Sequence, residues 1–574
     1  MNLARFVLLV APVLLVAQQP ATVSSQTGQP QPPNSQPPQP TRPEDLCSIE
    51  GEVVDAVTGE PVKKAEVSMS SLGGRGNAKG FGAVTDASGR FVIENLDPGR
   101  YGLSAERNGF IRQQYGARGP DRPGSPLALN PGQHTRDLVF RLLPQGVITG
   151  RVVDEDGEPV EYAQIRVMRY RFMGGERQMV SPGYGSTDDL GEYRVFGLTP
   201  GKYYLSATYR RRNVMMEVQD RTPRDAADEG YAPTYFPGTN DPAGAGVIDV
   251  APGAVLSGVD VTLHKTRTLR IRGRVVNPMG EGLPPFMMIR LVPRNSALAG
   301  MNSATRVLQN RGGTFELRDL TPGSYFLLAQ WREEGGKGRV VKQPVDLGNS
   351  NVDDLIVQLS AGIEVKGQVR VDGTGDVNLG NINVSLDSQG PMLMGRAFGR
   401  VKDDGSFVLD GVNADNYTVT VRGLPQNFYV KSVRMGDVDG LETGLDLTRG
   451  STGILDIVIS PNGGQVEGTV TDPKGQMSPS ATVVLVPDAP RREQSALFKT
   501  ASSDTSGHFS LQGITPGDYK LFAWEDVESG AYQDPEFLKP FESAGESVTI
   551  REGGRESRQL KLIPAESTPK SSGN

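Results

Sequence analysis

Cysteine is almost absent from this chain of 574 residues: Cys47 stands alone, so an intrachain disulfide is excluded. It lies too far beyond the apolar start of the chain to be a lipid-modified N-terminus, and it reads as a small apolar residue on a first strand. Histidine is scarce too. His134, His264 and His508 are far apart, and none is followed by Glu at ligand spacing, so no metal site is expected. A basic excess is missing: 60 Lys and Arg face 67 Asp and Glu, for a net charge of −7, so nucleic acid is not an expected partner. The triplet Arg210-Arg211-Arg212 is too short to change that and reads as a solvated loop. No stretch after the first 17 residues approaches the roughly 18 apolar residues of a membrane helix, so no span is expected in the mature chain. Convincing helical periodicity is absent as well.

What is abundant is glycine and proline, 71 and 42 copies. Apolar residues still reach 37%, which argues for packed cores rather than disorder. The N-terminus, "MNLAR" then "FVLLVAPVLLVA", has the charge and short apolar run of a secretory leader, residues 1–17. An exported protein, periplasmic or extracellular, is therefore expected. Residues 18–45 are a Pro/Gln-rich tract with almost nothing to bury, expected to be an extended linker. Residues 565–574 read as a loose tail.

Length alone suggests about four domains. Internal repetition gives five. Each repeat opens with a short strand and turn: "IEGEVVDAVTGEPV", "ITGRVVDEDGEPV", "IRGRVVNPMGEGL", "VKGQVRVDGTGDV" and "VEGTVTDPKGQM". Each then has a Gly two residues before an aromatic: Gly89/Phe91, Gly191/Tyr193, Gly313/Phe315, Gly405/Phe407 and Gly507/Phe509. Next comes "LDPGRYGLSA", "LTPGKYYLSA", "LTPGSYFLLA", "VNADNYTVTV" or "ITPGDYKLFA". In Tyr203, Leu205 and Ala207, or Tyr519, Leu521 and Ala523, apolar residues share one parity, the mark of half-buried strands. Pro-Gly between strands suits a type II turn at Gly99, Gly201, Gly323 and Gly517. The fourth copy replaces it with Ala414-Asp415, where Asp415 is expected to tolerate left-handed backbone. Tyr101, Tyr203, Tyr325, Tyr417 and Tyr519 recur in every copy and suit a buried corner whose hydroxyl meets a backbone group. "TDASG", "TDDLG" and "SDTSG" suit tight hairpins.

The expected fold is all-β: five tandem seven-stranded antiparallel β-sandwiches, at 46–144, 145–266, 267–361, 362–460 and 461–564, strung as a rod or bent chain. The combination G-x-V-x-D, G-x-P-V, T-D-x-x-G-x-F and L-x-P-G-x-Y-x-L-x-A resembles the carboxypeptidase regulatory-like domain family, transthyretin-like sandwiches grouped with starch-binding-like and Cna-B-like domains. The resemblance is strongest in repeats one, two and five. It implies an exported β-sandwich protein and little about a ligand, because such domains are attached to many unrelated proteins.

Chemistry is hard to find. There is no G-x-S-x-G elbow, and "GGRGNAKGFG" misses the dinucleotide spacing. Asp154/Asp156, Asp403/Asp404 and Asp437/Asp439 sit beside glycines without completing a calcium loop. No catalytic residue, metal or cofactor is assigned, and no enzyme is expected. The candidates for binding are aromatic. With Tyr519, Leu521 and Ala523 facing a core, Phe522 and Trp524 face the other way, making Trp524 a candidate exposed platform. Trp331 shares the core parity of Ala329 and reads as packing. After Trp524 comes an insertion containing Tyr532; the second repeat inserts Tyr231, Tyr235 and Phe236 at the same point. Such loops would bind a carbohydrate or an envelope component. The competing reading docks these aromatics on their own sheets, with Trp524 a covered anchor. A spacer or adhesin working through protein contacts at sheet edges is the alternative function.

Overall fold

The computed structural model describes residues 42–72, 80–120, 122–173, 175–209, 229–278, 282–295, 304–308, 312–332, 338–360, 362–375, 377–388, 397–450 and 453–565, with backbone alone at 229 and 304–308. The leader, the Pro/Gln tract through 41, residues 210–212, positions 73–79 of the glycine-rich stretch and the tail from 566 lie outside the described residues. Among the described residues no helix is long and apolar enough to cross a membrane.

The chain from Glu44 onward is one compact unit whose regular secondary structure, among the described residues, is almost wholly strand. Five separate clusters of buried apolar side chains lie within it, each drawn from one repeat. In the first repeat, Cys47–Asp55 pairs antiparallel with Arg90–Leu96 and parallel with His134–Leu142. The facing sheet is built on Glu66–Ser71, Gly80–Val84 and Gly99–Glu106. The other repeats follow this plan. A parallel pairing of first and last strand recurs in all five, which corrects the expectation of purely antiparallel sheets. The strand that opens a repeat and the one that closes it lie side by side in the same sheet. In the fifth repeat, Gly517–Trp524 also pairs with Arg555–Ile563, joining both layers into one seven-stranded sheet.

One glycine in each opening strand faces the aromatic of the hairpin strand: Gly51 opposite Phe91, Gly150 opposite Tyr193, Gly273 opposite Phe315, Gly367 opposite Phe407 and Gly468 opposite Phe509. At Gly273, Gly367 and Gly468 the ring lies over the missing side chain, whereas at Gly51 the nearest atom is the Leu138 carbonyl of the last strand. A Cβ on Gly367 would sit 2.0 Å from the Phe407 ring, and one on Gly273 2.7 Å from Phe315. This is the covering of a strand glycine by a neighbouring aromatic. The hairpin glycines are fixed differently. Gly89, Gly191, Gly313, Gly405 and Gly507 take φ of 66–81°, and the carbonyl of each accepts the amide of the opening-strand valine opposite it. Asp86, Asp188 and Asp504 close these turns by accepting two amides each at 2.8–3.0 Å.

Contacts also run between non-neighbouring repeats. The Gln113–Ser125 segment of the first repeat meets Pro479, Ser480, Ser503, Glu525 and Asp526 of the fifth. The hairpin Gln164–Met173/Glu176–Ser186 of the second reaches the fifth as well, with Phe172 6.4 Å from Phe537. Of the expected rod or bent chain, the straight rod is thereby corrected: first and fifth repeats touch. The reason is that the loops after the fifth strand of repeats one and five carry opposite charge, which no repeat-by-repeat reading compares.

Candidate functional site

The corner is the most regular local device. Tyr101, Tyr203, Tyr325, Tyr417 and Tyr519 each donate the hydroxyl to the carbonyl four residues back, at 2.7, 2.6, 2.9, 3.1 and 2.7 Å. Those carbonyls belong to Asp97, Thr199, Thr321, Asn413 and Thr515. In four repeats this is the carbonyl that a type II turn would offer to the amide three residues on. The glycines accordingly depart from type II geometry, which needs about +80°. Gly99, Gly201 and Gly517 take φ of 159°, 147° and 150°, and Gly323 is not at positive φ. Asp415 is not at positive φ either. Its carboxylate instead accepts from Lys342 Nζ at 2.9 Å and Ser388 Oγ at 2.7 Å. Burial opposes ionisation of Asp415, but these bonds outweigh it and hold the carboxyl below its ordinary range.

The expected aromatic platform is corrected. Phe522 and Trp524 do face away from the fifth core, as their parity requires, yet Trp524 is 0% exposed. The insertion folds back over it: Tyr532 (8% exposed), Leu538 and Phe541 close a second apolar cluster on the outer side of the sheet. Phe522 stacks on Trp524 with centroids 5.1 Å apart, and Phe541 meets it edge-on at 5.9 Å. Burying this much aromatic surface is worth more than leaving it wet. In the second repeat Tyr235 is 1% exposed and packs with Met168 and Met179. Tyr231 and Phe236 are half-buried against the second core. Tyr231 also meets Tyr209 edge-on at 5.6 Å. The five candidate residues therefore lie in separate clusters of two repeats and do not form one surface. Trp331 packs in the third core.

The paired carboxylates serve their own turns. Asp154 accepts the amides of Asp156 and Glu158, Asp404 that of Ser406, and Asp439 those of Leu441 and Glu442. Among the described residues no group of three or more His, Cys, Asp or Glu is placed to hold a metal.

A groove that the sequence reading missed lies where the third repeat meets the fourth. Its volume is about 690 Å³. One wall is the outer face of the third sheet, where Met288, Gln330 and Val340 stand in register across three strands. Trp331 contributes from the next position, and Phe286 and Met288 are 66% and 38% exposed. The floor toward the fourth repeat is an ion pair, Arg339 Nη1 to Asp410 Oδ1 at 3.1 Å, beside Gly411. Gly411 takes φ of 72°, and a Cβ there would strike the Arg339 guanidinium at 2.2 Å. The signal was available in "FMMIRL": with Met287, Ile289 and Leu291 in the core, Phe286 and Met288 had to point outward. The arrangement can bury apolar groups against a wall of Phe, Met and Val, with charge confined to one side. It holds no grouping of nucleophile and base.

No curated protein matches the chain. Solved structures share a general likeness at low identity. GBS52, the minor pilin of Streptococcus agalactiae, is 13% identical over 38% of this chain and 96% of its own, with a TM-score of 0.22. The TIE protein of Bacillus anthracis is 14% identical over 55% of this chain, with a TM-score of 0.16, and the match spans half of that protein's length. BcpA, the major pilin subunit of Bacillus cereus, is 10% identical over 55% of this chain and 99% of its own, with a TM-score of 0.14. Values this low carry nothing about function. A closer statement holds for the first repeat: residues 48–142 match the carboxypeptidase regulatory-like domain family.

Proposed function

We propose that the chain is an exported, non-enzymatic binding scaffold that engages a partner protein through the groove between its third and fourth repeats. The observation that carries this reading is the pair Phe286 and Met288, held in solvent beside a cavity of about 690 Å³. Large apolar side chains kept wet next to a concave wall mark an interaction site. Methionine adds adaptability to such a surface. The leader-like N-terminus supports export. The carbohydrate reading loses its main support, because Trp524 and Tyr235 present no open ring face.

The test is selection of short peptides from a random display library on the purified chain. Peptides carrying paired apolar side chains are expected to bind, to quench or shift Trp331 emission, and to lose at least tenfold in affinity to F286S/M288S. A library that yields no binder, or binders indifferent to F286S/M288S, overturns the reading.

A further inference from the structure

We propose that the contact between the first and fifth repeats is an electrostatic latch that keeps the chain closed at low ionic strength and releases it at high ionic strength. Four of the joints in the molecule are also covalent, since consecutive repeats are tethered by the chain. The first–fifth joint has no tether, so non-covalent contacts hold it. The hydrogen bonds and ion pairs found there among the described residues are polar contacts of side chains with side chains or backbone carbonyls. Arg118 pairs with Glu525 and donates to the Pro479 carbonyl at 3.2 Å, while Arg122 pairs with Asp526. Ser125 Oγ meets Ser480 Oγ at 2.7 Å and donates to the Ser503 carbonyl at 3.1 Å.

Two arginines from one repeat and two adjacent carboxylates from the other make the seam complementary in charge. All four side chains keep part of their surface in water, between 23% and 43%. Exposed pairs of this kind are weak and are screened by salt. The screening length falls from roughly 10 Å at 0.1 M to roughly 3 Å at 1 M. The second contact to the fifth repeat behaves differently. Phe172 and Phe537 are uncharged, and Gly175 and Gly530 let the two backbones approach closely. A Cβ on Gly175 would lie 3.0 Å from the Gln533 carbonyl, and one on Gly530 2.9 Å from that of Phe172. Salt therefore acts on the first–fifth seam and spares the apolar one.

The experiment uses the full chain with spin labels at E60C and K474C, two exposed positions in the first and fifth repeats. Cys47 is buried and stays unlabelled. At 50 mM NaCl one narrow distance distribution is expected; at 1 M it broadens and its long-distance population rises several-fold. R118E/R122E is expected to be broad already at 50 mM, and adding E525R/D526R restores the narrow distribution. A distribution unchanged by salt in the parent chain overturns the proposal without any charge variant. So does a folded R118E/R122E chain that stays narrow, or a parent chain already broad at 50 mM.

Discussion

The Tyr417 hydroxyl donates to the Asn413 carbonyl at 3.1 Å, although the fourth repeat has lost the Pro-Gly that precedes the tyrosine in the other four. The side chain, rather than the turn sequence, is thus the common element of the corner. Burial pushes the Tyr417 phenol up to about 12, consistent with a neutral donor. Tyr417→Phe is expected to destabilise the fourth repeat by about 1–2 kcal/mol, because the Asn413 carbonyl loses its partner in a covered site. Urea unfolding followed by circular dichroism measures this. A variant as stable as the parent would show that packing of the ring alone holds the corner.

Trp524 is covered on both faces, so it is a packing residue of the fifth repeat. In a Trp331→Phe background it is the remaining indole, and its emission is expected to be blue-shifted and nearly immune to iodide. Trp524→Ala is expected to cost about 3–5 kcal/mol through the cavity it leaves. Iodide quenching close to that of free tryptophan would return Trp524 to the surface.

Gly468 admits no side chain. A Cβ there would lie 1.7 Å from the Arg558 carbonyl of the parallel last strand. Gly468→Ala must push the opening and closing strands of the fifth repeat apart, at a cost of about 1–3 kcal/mol. Gly475, which has open space around it, offers the control, although its φ of 81° adds a smaller strain of its own. Thermal melts of the two variants compare them directly, and a Gly468→Ala melt at or above that of Gly475→Ala would contradict the steric account.

Glu542 ties the insertion over Trp524 to its sheet. It pairs with Arg492 and accepts from Lys520 Nζ at 2.9 Å. The Arg492 guanidinium chiefly holds its carboxyl at about 2; burial opposes this, and the bond from Lys520 assists the arginine. A carboxyl depressed in the folded state stabilises above its unfolded value, roughly 4.3, and that stability disappears as pH falls through about 2. Melting temperature should therefore drop more steeply between pH 4 and 2 in the parent chain than in Glu542→Gln, which starts lower at pH 7. Parallel pH profiles would remove Glu542 from the acid response.

Much of the fold was legible because it is local. The parity of Tyr519, Leu521 and Ala523 places them in a core, and they are there. The Asp and Gly spacing of the hairpins specifies a turn that needs only its own residues. The candidate site was less legible. Parity correctly turned Trp524 away from the fifth core but could not say whether water or the Tyr532–Phe541 stretch would meet it. The groove at Phe286 had the same outward signal and the opposite outcome. An alternating pattern tells which side of a strand a residue faces; it does not identify what covers the second side.

The sequence by itself determined five strand-rich repeats, their hairpins and their recurring tyrosines, because period-two burial and turn chemistry act over a few residues. Tertiary structure alone decided which first strand lies parallel to which last strand, which aromatics are sealed, and that the first repeat meets the fifth. Those outcomes depend on surfaces brought together from positions hundreds of residues apart, where complementarity of shape and charge, rather than local pattern, sets the minimum of free energy.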